Sequence, residues 1–266
     1  LTSAGDRVEA LIDAKDVGPI SVLIRKVFPG PVANAIADRA KLLGPAKFNV
    51  TAQRASDKAR TIQLAFDGTA AGSVLSGTGN MTVDEDDLAL VGDVKASSTD
   101  AGLMLRQIGL PVLPLPLEGG GQLSVRIGGH SAGGFLLGIK GDVAGTAVSG
   151  DVKLDTAASR VNGAVRLSSN DALPLLQALA FPTPDVASRL PVSLAAQAEW
   201  DGAGFRLNDL DVQASGRRFS GAVSYAAASG KLTGDVAVDT VSLPAIASLV
   251  VGPIGTQTAG GIWPAT

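Results

Sequence analysis

Several residue types are scarce in this 266-residue chain, and each scarcity excludes a class of function. Cysteine is absent, which rules out a disulfide framework and a thiolate metal site. The single histidine, His130, leaves little for histidine-ligated zinc or histidine-based catalysis. Charged residues make up 18% and the net charge is −3, so the chain has no basic excess for binding nucleic acid.

Long apolar runs are also missing. The longest apolar stretches, Leu110–Leu117 and Leu243–Val251, both contain proline and fall short of the roughly 20 residues that span a bilayer. Because the chain begins at Leu1 and ends at Thr266 without an evident boundary, we expect it to be a fragment of a longer protein. An N-terminal membrane anchor would then lie outside this sequence.

Apolar and polar residues alternate in many segments of the chain. Clear examples are Ile62–Phe66, Leu123–Ile127, Val161–Leu167, Phe205–Leu207 and Val236–Val238. Such alternation is typical of antiparallel strands that have one apolar face and one polar face. Clusters of turn residues separate the segments, and together they predict about 13 strands.

Short helices are predicted between some of the strands, over residues 16–27, 99–109, 170–181 and 241–251. For the second of these, Asp100 is the expected N-cap and Gly109 the expected end. For the third, Asn170 is the expected cap and Pro174 lies in the first turn. A further helix is predicted once only, over residues 31–43.

Glycines and prolines recur at a fixed spacing. Gly92, Gly163 and Gly234 each precede a residue and then a valine, and both intervals are 71 residues long. The Leu-Pro pairs at 173–174 and 243–244 are 70 residues apart. This spacing predicts a repeated unit of four strands, one short helix and a proline-bearing crossover, stacked into an extended sheet. The alternative is a single β-sandwich in which the glycine spacing is accidental.

The repeat divides one continuous domain into five segments. These are the end of a truncated unit with the inserted helix (1–46), three units (47–117, 118–191 and 192–254) and the start of a further segment (255–266).

No arrangement of residues in the sequence is suited to catalysis. His130 lies in a glycine-rich turn, and the acidic run Asp84–Asp87 lacks the spacing of a calcium loop. Arg217 and Arg218 are expected to form a charged strand end, and Trp200 is expected to be a partly exposed strand-end residue. The sequence therefore predicts a protein that is not an enzyme and that has no metal site and no cofactor.

The apolar side of the predicted sheet is the candidate functional surface. A sheet of this many strands is about 60 Å long, and a few three-turn helices are too short to cover it. Either the sheet folds onto itself as a sandwich, or it curls and leaves an apolar trough that needs an apolar guest. Acyl chains meet that need, because each buried CH₂ contributes about 0.8 kcal/mol without directional demands. The candidate lipid-binding residues are Val125, Ile127, Phe135, Val165, Leu167, Leu194, Phe205, Leu207, Val236 and Val238.

The strand–helix–crossover pattern resembles that of the AsmA-like proteins of Gram-negative envelopes, which are relatives of TamB. The segments that carry the resemblance are Leu88–Gly109 and the stretch from Gly150–Asp155 to Leu167–Leu176. Gly261–Trp263 is similar to the beginning of a Gly-x-Trp segment of that family. The helix predicted over 31–43 departs from the family's simple unit.

The resemblance implies a curled, taco-like β-groove in a periplasmic protein that is anchored in the inner membrane by an N-terminal helix. It also implies a bridge-type carrier, which holds phospholipid acyl chains between the inner and outer membranes while the headgroups stay wet. The alternative is a structural or scaffolding protein that assists outer-membrane protein assembly and binds envelope proteins through an exposed sheet edge. No catalytic residues carry over from the family.

Overall fold

The fold is given by a computed structural model, which describes most of the chain. The described residues are 2–4, 6–27, 37–55, 60–84, 87–110, 112–113, 117, 119–155, 158, 160–179, 189–201, 203–214, 216–226, 228–229 and 231–239.

Fourteen strands and four helices are described. The strands are β1 (Thr2–Ala4), β2 (Arg7–Ala14), β3 (Ala46–Arg54), β4 (Thr61–Ala70), β5 (Ser73–Val83), β6 (Leu88–Ser98), β7 (Gly121–His130), β8 (Gly134–Val143), β9 (Thr146–Asp155), β10 (Arg160–Ser169), β11 (Val192–Trp200), β12 (Gly204–Ala214), β13 (Arg217–Ala226) and β14 (Lys231–Val238). The helices are α1 (Gly18–Val27), α2 (Ala40–Leu43), α3 (Ala101–Gln107) and α4 (Leu173–Ala178).

All described strands belong to one open antiparallel sheet, in which the spatial order is the chain order from β1 to β14. The predicted mainly-β, antiparallel class is therefore confirmed, with 14 strands in place of about 13. The β-sandwich alternative is wrong for the described strands. The physical reason is that each described strand pairs with its neighbours in the chain within the same sheet, so the described strands form no second layer.

Three of the predicted helices are present in shortened form. The structure places α1 within 16–27, α3 within 99–109 and α4 within 170–181. Of the helix predicted over 31–43, the described part includes α2, and residues 31–36 lie outside the described residues. The helix predicted over 241–251 also lies outside them.

The expected helix ends are partly correct. Asp100 caps α3, because its Oδ1 atom accepts a hydrogen bond from the Leu103 amide at 2.9 Å. Gly109 follows α3 with a left-handed φ of 98°, which favours glycine. At the start of α4, Asp171 accepts hydrogen bonds from the amides of Leu173 and Leu190, both at 3.1 Å, whereas Ala172, in the cap position itself, makes no side-chain cap bond.

The helices α1, α3 and α4 lie at the same end of the sheet. They follow β2, β6 and β10, so four strands separate each helix from the next. Because four is an even number, an antiparallel chain returns to the same end each time. We call this the helix end, and the opposite end, where β3–β4, β7–β8 and β11–β12 are joined, the loop end.

The hydrophobic core is concentrated at the helix end. One cluster surrounds α3, where Met104 and Leu105 are 2% and 4% exposed and pack with Val143 at the end of β8. A second cluster joins Val17, Ala40 and other residues near α1 and α2. The helices therefore seal one end of the strands.

Candidate functional site

The strand registers give the sheet two chemically distinct faces. Residues directly opposite each other in paired strands point to the same face. Starting from Ala10 in β2, the opposite residues across ten strands are Ala10, Val50, Phe66, Gly77, Val94, Val125, Ile139, Gly150, Val165 and Ala196. Beyond a register shift in β12 the row continues with Leu210, Gly221 and Val236. Every member is apolar or glycine, and we call this side the apolar face.

All ten candidate lipid-binding residues lie on the apolar face. They are Val125, Ile127, Phe135, Val165, Leu167, Leu194, Phe205, Leu207, Val236 and Val238. They occupy β7, β8, β10, β11, β12 and β14, so the structure brings them together as one surface.

Other members of this face were missed from the sequence. Leu137 and Ile139 in β8, and Val152 and Leu154 in β9, face the same side. In β9 the alternation of apolar and polar residues would have predicted Val152 and Leu154 on this face. In β8 it is obscured by Leu136, an apolar residue on the opposite face whose side chain is 64% exposed.

Burial along this face falls from the helix end towards the loop end. Ala70 and Val143, at the helix end of their strands, are each 3% exposed. Val165, near the middle of its strand, is partly exposed. Trp200 and Phe205, at the loop end, are 46% and 42% exposed. The described helices therefore cover only one end of the apolar face.

Glycines bring the backbones of neighbouring strands close together on this face. A Cβ atom at Gly92 would lie 2.8 Å from the carbonyl oxygen of Thr78 in the preceding strand. The equivalent distances are 2.1 Å from Gly163 to the Asp151 oxygen and 2.4 Å from Gly234 to the Ala222 oxygen. A side chain cannot fit at such distances, so the three glycines spaced by 71 residues occupy equivalent close approaches.

The opposite side, which we call the polar face, carries solvent-exposed ion pairs. Arg126 Nε lies 3.3 Å from Asp93 Oδ1, across β6 and β7. Arg218 donates two hydrogen bonds of 2.8 Å to the carboxylate of Asp211. These bonds lower the pKa of Asp211 and raise the pKa of Arg218. Exposed pairs of this kind contribute little stability, but their charged groups keep this face hydrated.

The residues considered for catalysis or metal binding take part in loop contacts. His130 Nδ1 lies 3.1 Å from Asp87 Oδ2, and Asp87 Oδ1 accepts from Ser131 Oγ at 2.7 Å. Asp84 pairs with Arg60, whereas residues 85–86 of the acidic run lie outside the described residues. Within the described ranges, no three histidine, aspartate or glutamate side chains are grouped as metal ligands would be.

Comparison with family models, with curated proteins and with solved structures finds no match for this chain. None of the described helices is both long enough and apolar enough to cross a membrane.

Proposed function

We propose that this chain is a segment of a bridge-type lipid carrier that holds phospholipid acyl chains against the apolar face of its sheet. The observation that carries the proposal is the continuity of that face from β2 to β14, together with the fact that the described helices cover it at the helix end only. Aliphatic contacts are similar along the whole face, so a lipid tail can lie at many positions on it with little preference.

The size of the surface supports an apolar guest. Fourteen strands at about 4.8 Å spacing give a face about 60 Å long. Exposed apolar patches on monomeric proteins rarely exceed a few hundred Å² unless they bind something. Acyl chains remove such area from water at about 0.8 kcal/mol per buried CH₂ group.

The groove itself is part of the proposal. Close approaches at Gly92, Gly163 and Gly234 permit strong local twist and bending of the sheet. We propose that the repeated units curl about the lipid tails and leave the loop end open. The resemblance to AsmA-like proteins supports a periplasmic location, between the inner and outer membranes, in a protein that is anchored in the inner membrane.

A second candidate function is scaffolding of envelope assembly through a sheet edge. It is favoured by β14, in which every residue from Lys231 to Ala237 is exposed. Such a strand can add a strand from a protein partner. This candidate requires no lipid on the apolar face, which separates it from the first.

Native mass spectrometry of the purified chain tests the proposal, and matched leucine variants sharpen it. We expect the wild-type protein to retain phospholipid. Leu207→Asp places a carboxylate on the apolar face and should remove most of that lipid. Leu136→Asp makes the same change on the polar face and should retain it. A wild-type chain without lipid, or equal retention by both variants, would contradict the carrier and favour the scaffold.

A further inference from the structure

A cavity of about 530 Å³ lies at the loop end of β10 to β14, and residues of both faces line it. One row of opposite residues lines it: Asn162, Glu199, Arg206, Ser224 and Thr233. Arg160 and Asp201 extend its lining beyond that row.

The charges in this cavity balance, and the pair of Arg206 and Glu199 is loosely held. The cavity contains two cations, Arg160 and Arg206, and two carboxylates, Glu199 and Asp201. Asp201 Oδ1 accepts hydrogen bonds from the amides of Ala203 and Gly204 at 3.0 and 3.2 Å. The Arg206 Nη1 atom is 3.8 Å from Glu199 Oε2, at the outer limit of an ion pair, and both side chains are more than half exposed. Such a pair is weak, so a ligand can replace it at little cost.

The ion pairs elsewhere along the loop end are closer. Arg54 Nη1 is 3.3 Å from Asp6 Oδ1, Arg60 pairs with Asp84, and His130 pairs with Asp87 at 3.1 Å. Of these described ion pairs along the rim, that of Arg206 and Glu199 is the most widely spaced, so its charged groups are the easiest for a ligand to separate.

Aromatic residues line this same cavity beside that row. Trp200, Phe205 and Tyr225 are opposite one another on the apolar face, each adjacent in sequence to a residue that lines the polar row. The Phe205 and Tyr225 rings stack with centroids 5.4 Å apart. Rings of this kind favour the boundary between acyl chains and headgroups.

From this arrangement we infer that the cavity binds the zwitterionic headgroup of a phospholipid whose tails lie on the apolar face beyond the aromatic row. The phosphate accepts hydrogen bonds from Arg160 and Arg206, and the ammonium group donates to Glu199 and approaches Asp201. A purely anionic headgroup is also repelled by the two carboxylates, and therefore binds more weakly. This inference rests on the proposed carrier function and adds a headgroup site to it.

The test compares two lipids that share their acyl chains, phosphatidylethanolamine and phosphatidylglycerol, by native mass spectrometry of the full chain. We expect the wild-type protein to prefer phosphatidylethanolamine. The double variant Arg160→Gln/Glu199→Gln should lower that preference about fivefold, the scale of one exposed charge pair. The control Arg126→Gln/Asp93→Asn removes an ion pair elsewhere on the polar face and should leave the preference unchanged.

The outcomes separate this inference from the proposed function. Binding of both lipids without a preference, or a preference that survives the double variant, would overturn the headgroup site and leave the carrier intact. Binding of neither lipid would overturn the carrier itself. Phosphoethanolamine without tails should not be retained at the same concentration, and its retention would show that the cavity is not specific to a lipid.

Discussion

The two ends of the sheet are built from the same strands but differ in how far their apolar side chains are buried. At the helix end, side chains from α3 such as Met104 fill the space above the strand ends and exclude water. At the loop end, Phe205 and Trp200 remain more than 40% exposed. The alternation of apolar and polar residues is the same at both ends. The difference therefore arises from the connections between strands, which contain the described helices at the helix end.

The comparison shows why apolar residues in the same strands have different roles at the two ends of the sheet. Helices of 4 to 10 residues cannot reach along strands of 10 or 11 residues such as β4 and β5, so they cover only the side chains nearest the helix end. Stability is therefore concentrated at one end, and the described helices leave the rest of the apolar face uncovered. Four expected outcomes follow from this division, beginning with the largest effect.

The largest effect is expected from a charge placed in the core at the helix end. Leu105 is 4% exposed, so Leu105→Asp leaves an unpaired carboxylate in an apolar cluster. We expect a loss of about 3–5 kcal/mol in the free energy of unfolding. The same change at the exposed Leu136 should cost no more than about 0.5 kcal/mol.

Urea denaturation followed by circular dichroism measures both leucine variants. If Leu105→Asp and Leu136→Asp have equal midpoints, the helix end is not the stable core of this protein. Leu207→Asp should fall between them, because Leu207 is only partly buried on the apolar face.

The next effect concerns the hydrogen bonds that join α3 to α2 and to the strands β4 and β5. Gln107 Nε2 donates to the carbonyl oxygens of Leu42 and Ala70 at 3.0 and 3.1 Å, and its Oε1 atom accepts from Ser73 Oγ at 2.7 Å. Gln107→Ala leaves these part-buried groups without their partner and should cost about 2 kcal/mol. The control is Gln122→Ala, at an exposed position on the polar face. Equal stability of the two variants in thermal melts would contradict this role.

A smaller effect on stability is expected at the loop end. Phe205→Ala removes a half-exposed ring and its stacking with Tyr225, which should cost about 1 kcal/mol. Its effect on retained lipid should be larger than its effect on unfolding. Phe205→Leu keeps the apolar area and should retain more lipid than Phe205→Ala when both are measured by native mass spectrometry. A rim that serves stability alone would show the reverse order.

The sheet was predictable from the sequence because its strands alternate in composition. Segments such as Val161–Leu167 have one apolar side, and antiparallel pairing then brings those sides together. The cap at Asp100 was predictable for a similar reason, since its effect depends on residues a few positions away.

The β12 strand shows what the sequence pattern could not provide. Leu207 and Leu210 share a face although three positions separate them, because the register with β13 shifts between them. Asp209, within this shift, has a left-handed φ of 50°, which aspartate tolerates better than most residues. Simple alternation places Leu210 on the polar face, so the bulge had to be seen in the structure.

The cavity at the loop end of β10 to β14 was not predicted because its members are far apart in the chain. Asn162 and Thr233 are separated by 71 positions, and they belong to one row only through the registers of the intervening strands. Arg206 and Glu199 are ordinary exposed residues when each is considered alone.

The smallest effect is expected from the loops that join β5 to β6 and β7 to β8. Hydrogen bonds from Ser131 Oγ and from the Ala132 amide hold the pKa of Asp87 below its ordinary value, about 3.9. A lowered pKa means that the ionised carboxylate stabilises the folded state, and that this contribution is present above pH 4 and is lost as the pH falls further.

Asp87→Asn keeps the amide oxygen as an acceptor but removes the charge. Between pH 5 and pH 3, amide exchange at Ala132, corrected for intrinsic rates, should accelerate more in the wild-type protein than in this variant. Equal acceleration would show that the charge of Asp87 does not hold these loops together.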